Sequence, residues 1–82
     1  MYSVELTAKA QKFLRKLPSS ESEIILRKIY SIRENPFAHL KRLQGNAFWR
    51  LRINDYRAII DLIVSGKKII VIRIGHRKNV YV

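Results

Sequence analysis

The stretch from Phe48 to Ile60 reads as a β-hairpin, and the rest of the chain is organised around it. Trp49, Leu51 and Ile53 alternate with Phe48, Arg50 and Arg52, the period of two expected of a half-buried strand. Asn54-Asp55 tolerates left-handed backbone angles and predicts a two-residue turn. With that turn Ile53 faces Tyr56, Arg52 faces Arg57 and Leu51 faces Ala58. The apolar residues then share one face of the hairpin and the arginines share the other. Two arginines directly opposite each other are destabilising in an isolated sheet. An anion from outside the chain is therefore expected there, and a phosphate matches the guanidinium fork.

The pattern before the hairpin changes period. Tyr2, Val4 and Leu6 alternate as a first strand over residues 2–6, and Thr7 is placed to cap a helix. Ala10, Phe13, Leu14 and Leu17 recur at helical spacing and predict a helix over 8–17, stopped by Pro18. Ser20-Glu21-Ser22-Glu23 has the form of a capping box opening a second helix over 21–34. Its inner stripe is Ile25, Ile29 and Ile32, widened by Leu26 and Tyr30, and Asn35-Pro36 ends it. So short a connection predicts an antiparallel helical hairpin. Residues 37–46 read as irregular, anchored by Phe37, Leu40 and Leu43 and punctuated by Gly45-Asn46.

After Tyr56 a strand runs to Val64, Ser65-Gly66-Lys67 turns, and a last strand follows over 68–75. Loop parity decides which face each residue of that strand takes. An odd loop puts Ile60, Leu62 and Val64 on one face with Ile70, Ile72, Ile74, Trp49, Leu51 and Ile53. An even loop puts Arg73 in the core. The odd loop is preferred, with the glycine in the left-handed position. The other face then carries Arg50, Arg52, Arg57, Arg73 and Arg77, with Ile59, Ile63 and Val71 between them and Asp61 as a local counter-ion. The fold class is α+β, in the order β-α-α-β-β-β. A two-helix hairpin packs on one face of a small, mostly antiparallel sheet, and 1–82 is a single domain.

Charge sharpens this picture. Seventeen Lys and Arg against six Asp and Glu leave a formal charge of +11, which calls for a polyanionic partner: nucleic acid, an anionic membrane surface or an acidic protein. No apolar stretch reaches the ~20 residues of a membrane span, and no leader peptide is visible, so a cytoplasmic protein without a membrane partner is expected. There are no cysteines, and His39 and His76 are too few for a metal centre. No phosphate-binding glycine loop or hydrolase motif is present, and no cofactor is expected. His76, next to Arg77, is able to move a proton near neutral pH, but parity turns it toward the core as a packed strand-end histidine. Tyr56 and Tyr81 are candidate stacking surfaces for bases. The basic outer faces of the helices read as solvated.

Several of these segments together resemble a known family. Trp49-Arg50-Leu51-Arg52 followed by Tyr56-Arg57, Gly75-His76-Arg77-Lys78 followed by Tyr81, and the opening from Gln11 to Pro18 resemble RelE-type toxins of prokaryotic toxin–antitoxin pairs. The resemblance covers essentially the whole chain. It implies a ribosome-dependent endoribonuclease that cuts messenger RNA by attack of a ribose 2′-hydroxyl on the adjacent phosphate. It also implies an acidic, RelB-like antitoxin that wraps the toxin in a hetero-oligomer. Arg57 and Arg77 match the arginines that hold the scissile phosphate, and Tyr81 matches the C-terminal tyrosine that stacks on a base or aids proton transfer. Arg50 and Arg52 stand where some relatives carry lysines. Arginine essentially cannot lose its proton, so these two are expected to stabilise charge, with ribosomal RNA or Tyr81 moving the proton. Arg50, Arg52, Arg73, Lys78, Lys41 and Arg42 form the expected RNA-binding set. No helix is expected after Tyr81, unlike in some relatives. The alternatives are a ParE-like toxin that inhibits gyrase and an RNA-binding module without chemistry.

Overall fold

A computed structural model describes residues 1–78. The elements follow in the order β1 (Ser3–Leu6), α1 (Ala8–Arg15), α2 (Ser19–Ser31), a 3-10 turn (Pro36–Ala38), β2 (Lys41–Arg42), β3 (Trp49–Ile53), β4 (Tyr56–Ile63) and β5 (Lys68–His76). The strands form one sheet in the order β1-β5-β4-β3-β2, antiparallel except for the parallel pair β1 and β5. The helical hairpin covers one face, giving the expected α+β architecture. The two-residue β2 lies inside the segment expected to be irregular.

Thr7 caps α1: its hydroxyl accepts from the Ala10 N–H at 3.2 Å. Ala10 and Leu14 are buried, while Lys9, Lys12, Arg15 and Lys16 face solvent. The second helix starts earlier than expected, at Ser19, with Pro18 before it and no side-chain cap, so the capping box of Ser20 and Glu23 does not form. The carbonyl of Pro18 already accepts the N–H groups of Glu21 and Ser22, which fixes the first turn ahead of Ser20. Ile25, Ile29 and Ile32 are buried as expected. Tyr30 is not part of that stripe; it is exposed, with the Arg33 guanidinium 5.1 Å from its ring centre. Phe37 is half exposed and meets Trp49 edge-on at 5.6 Å, so Leu40 is the buried anchor of its segment. Gly45 takes φ 81°, where a side chain would be strained.

The hairpin of β3 and β4 has the register expected from its alternation, with Ile53 opposite Tyr56, Arg52 opposite Arg57 and Leu51 opposite Ala58. Asn54 adopts φ 51° in the turn. The next loop departs from expectation. Ile63 pairs with Lys68, so Val64, Ser65, Gly66 and Lys67 make an even loop, and Lys67 rather than Gly66 takes the left-handed conformation. Ile69 and Val71 therefore face the helices, fully buried, while Ile70 and Ile72 are only half-buried and Val64 is exposed.

An unbroken strand would now turn Arg73 into the core. A β-bulge prevents this: Ile60 pairs with Val71 but Ile59 pairs with Arg73, leaving Ile72 as the extra residue. Beyond the bulge Ile74 is back in the core and Arg73 is back on the opposite face. The bulge is held at the point where β1 passes into α1. Thr7 donates its N–H to the Val71 carbonyl at 3.1 Å and its hydroxyl to the Ile72 carbonyl. Burying an unpaired guanidinium costs several kcal/mol, far more than one irregular ladder position.

Among the described residues no helix is long and apolar enough to cross a membrane. The core includes Ala10, Leu14, Ile25, Ile29, Ile32, Leu51, Ala58, Ile60, Ile69 and Val71. Leu51, 1% exposed, sits among them. Leu51→Asp is expected to abolish cooperative unfolding, and Leu51→Ala to cost about 2–5 kcal/mol in urea titrations. A well-folded Leu51→Asp protein would overturn the assignment of faces.

Candidate nucleic-acid interface

The face of the sheet away from the helices is a grid set by strand pairing. In one row Lys41, Arg50, Ile59 and Arg73 lie side by side on β2, β3, β4 and β5. In the next row lie Arg52, Arg57 and Gly75. Arg77 follows β5, its N–H donating to the Asp55 carbonyl at 2.8 Å. Neighbouring strands are ~4.8 Å apart, so these cations are held closer to one another than free charges would settle. Ile59 is 2% exposed on this face, outside the main core. It is an apolar floor beneath arginine side chains, whose methylene stems cover apolar surface while the charged heads stay wet.

Arg57 is the centre of the cluster. Its Nε is buried and has no hydrogen-bond acceptor among the described residues. Loss of solvent, and then the positive charges of Arg50, Arg77 and Arg52, pull its pKa below the ordinary arginine value. The carboxylates do not relieve it. Among the described residues the one ion pair joins Glu5 Oε2 to Lys68 Nζ at 3.2 Å, half exposed at the far end of β5. Asp61 shares the arginine face but makes no ion pair there.

The other candidates divide. Lys41 stands beside Arg50 and extends the cluster to the sheet edge. Arg42 turns to the opposite side, its guanidinium 5.2 Å above the Trp49 ring, because successive strand residues alternate. Lys78 lines a cleft of about 410 Å³ with Asp55, His76 and Arg77 at the end of the sheet. Tyr81 lies outside the described residues. Tyr56 is no stacking platform: it is 8% exposed, and its hydroxyl donates to Glu21 Oε1 at 3.1 Å. Burial, then the hydrogen bond and charge of Glu21, and Asp55 raise its pKa above 10.0. His76 has the expected core-side parity but lies at the rim, exposed, its ring 5.0 Å from that of Tyr56 and edge-on to Phe13 at 6.3 Å.

Among the described residues no group of three His, Cys, Asp or Glu side chains is placed to hold a metal ion. The arginine face offers fixed positive charge and forked donors rather than a proton acceptor. Such a surface binds phosphate oxygens and stabilises negative charge that develops on them. The sequence places Ile59 on this face; what it does not show is that Ile59 is buried there and that Gly75 leaves a flat position opposite Arg57.

Fold and face together define a toxin of the RelE/ParE superfamily. Residues 4–81 match the model of the ParE toxin of type II toxin–antitoxin system, parDE, and the chain belongs to that family. Solved structures agree in fold. The RelBE2 toxin–antitoxin complex of Mycobacterium tuberculosis matches with TM-score 0.85 and 22% identity over 93% of this chain and 98% of that one. The archaeal RelE–RelB complex of Pyrococcus horikoshii matches with TM-score 0.81 and 22% identity over 96% and 98%. The intact E. coli RelBE complex matches with TM-score 0.77 and 25% identity over 93% and 96%. A comparison with curated proteins found no match.

Two predictions follow from the electrostatics. The folded state disfavours the charge on Arg57, and arginine stays charged at neutral pH. Arg57→Gln should therefore raise the urea midpoint, corresponding to roughly 0.2–1 kcal/mol of added unfolding free energy in low salt and less at about 1 M salt, where the repulsion is screened. An unchanged or lowered midpoint would contradict the crowding. Tyr56→Phe should cost about 1 kcal/mol near neutral pH through loss of the bond to Glu21. Because the folded state raises the Tyr56 pKa, that contribution is complete below pH 10.0 and is lost as pH rises further. The stability gap between the two proteins should narrow as pH rises above 10.0; a constant gap would refute the shift.

Proposed function

We propose that the chain is the toxin of a type II toxin–antitoxin pair and acts as a ribosome-dependent endoribonuclease on messenger RNA. The observation that carries this reading is Arg57, with its buried Nε and its neighbours Arg50, Arg52 and Arg77. A scissile phosphate lying over these groups would satisfy the donors and relieve the repulsion in one contact. Attack by the ribose 2′-hydroxyl adds negative charge to that phosphate; the bond to the 5′-oxygen of the next nucleotide then breaks, leaving a 2′,3′-cyclic phosphate and a 5′-hydroxyl that takes up a proton. The arginines are already in position to stabilise it, so no reorganisation is needed at the moment of reaction. Arg57 and Arg77 hold the phosphate. Arg50 and Arg52 stabilise the developing charge, and Lys41, Arg73 and Lys78 bind the flanking strand. Tyr81, four residues after Arg77, is assigned to base stacking or proton transfer on the strength of the family resemblance. Proton removal from the 2′-hydroxyl falls to Tyr81 or to ribosomal RNA, because an arginine cannot act as a base.

The partner in the resting state is an acidic antitoxin. Complexes of toxin with antitoxin recur among the structural neighbours, and the charge of +11 favours an acidic wrapping protein. A second reading is inhibition of DNA gyrase, favoured by the ParE description of the matching family.

Cleavage of a reporter message in a translating extract tests the proposal. The wild type should cut only when ribosomes are present. Arg57→Ala and Arg77→Ala should each lower the rate roughly 10²–10³-fold, the scale of losing one charge-stabilising donor, and remove growth inhibition with the fold intact. If both variants remain fully toxic, the arginine face is not the active face. Inhibition of supercoiling without message cleavage would support the gyrase reading instead.

A further inference from the structure

Helix α1 carries a second row of cations that the arginine face does not account for. Lys9, Lys12 and Lys16 recur at the three- and four-residue spacing of one helical stripe, so they stand ~5–6 Å apart on the same side. All three are exposed. The first turn holds no acid, and the ion pair among the described residues involves none of them. Like charges at this spacing destabilise an isolated helix, and α1 is only eight residues long.

The stripe is not turned away from the sheet. β1 ends at Leu6, so the second half of β5 has no strand on its outer side, and α1 runs along it. Between them lies a cleft of about 240 Å³ lined by Lys9, Lys12, Phe13, Lys16, Arg73 and Ile74. Arg73 belongs to both surfaces. It pairs with Ile59 in the row that contains Arg50 and Lys41, and it forms a wall of the α1 cleft. The cations therefore continue around the edge of the sheet.

We propose that Lys9, Lys12 and Lys16, with Arg73 and the apolar floor of Phe13 and Ile74, form a second RNA-backbone site that continues the arginine face. Lysines on flexible stems suit this role, because an ammonium is a point charge that follows a phosphate without fixing its orientation. The spacing of the row suits successive phosphates of one strand, and the half-buried Phe13 accepts a ribose or base edge. An acidic protein would need no such continuity with the phosphate-binding grid. The RNA comes from the message or from the ribosome, since both present the same backbone.

This inference rests on the RNA-directed reading of the chain, and a binding assay separates the two. The purified full-length protein is titrated with a single-stranded RNA oligonucleotide and with programmed ribosomes across a range of salt. Lys12→Gln/Lys16→Gln is compared with Arg27→Gln/Lys28→Gln, which removes the same charge from the outer face of α2. The α1 double variant should lose roughly tenfold or more in affinity near 0.1 M salt, and its salt slope should shrink by about 1.4, two phosphate contacts on a single strand. The α2 double variant should change much less. A loss on both probes assigns the site to the message strand; a loss on ribosomes alone assigns it to ribosomal RNA. Equal effects of the two double variants, or no effect of either, overturn the proposal. If the α1 site behaves as described while the wild type cuts no message, the RNA site stands and the ribonuclease reading fails.

Discussion

An arginine side chain cannot be buried without a counter-charge, and this constraint determines the geometry of the central strands. β4 and β5 each present one face to the helices, and that face admits only apolar residues. The even loop between them would carry Arg73 into the core if β5 ran without interruption. The bulge at Ile72 is the physical solution. It uses one residue to reverse the alternation, and it is secured by Thr7, which also caps α1. The helix start, the strand crossing and the position of Arg73 therefore depend on a single local arrangement.

What that arrangement produces is a surface under electrostatic strain. Arg57 is flanked by Arg50, Arg52 and Arg77, and no described carboxylate offsets it. The helices and the apolar face supply the stability that the arginine face gives up, through Ile25, Ile29, Leu51, Ile60 and Val71. Such a division is the usual mark of a functional surface: stability is surrendered where charge must be held ready for a ligand. Ile59 keeps the charged face from being hydrated throughout, giving the guanidinium groups a firm, partly dry base.

The chain belongs to a toxin family whose members share a scaffold, and a scaffold does not dictate a target. The target is decided by the side chains on the open face of the sheet. In this chain they are Arg50, Arg52, Arg57 and Arg73, with Lys41 at the sheet edge. That chemistry favours phosphate recognition and charge stabilisation over proton transfer by the protein itself, and it is the basis for the ribonuclease reading.

Much of this was legible in the sequence. The alternation from Trp49 to Arg57 fixes the hairpin register, because a slip of one residue would bury arginines and expose Leu51 and Ile53. The stripes of α1 and α2 identify their buried faces for the same reason. The resemblance of the short motifs pointed to the right superfamily. Other features depend on partners distant in the chain. Tyr56 reads as an exposed strand-end aromatic until Glu21 is brought to its hydroxyl. Arg42 reads as one more surface cation until a short pairing with β3 turns it over Trp49. Gly66 looks like the left-handed residue of a tight turn, yet Lys67 holds that conformation. Local pattern determined which residues of β3 and which isoleucines of α2 must be buried, but not those of β5, where Ile69 and Val71 rather than Ile70 and Ile72 fill the core. Only the tertiary structure decided which elements share a face, because a bulge can reverse parity and only packing against α1 shows where the reversal occurs.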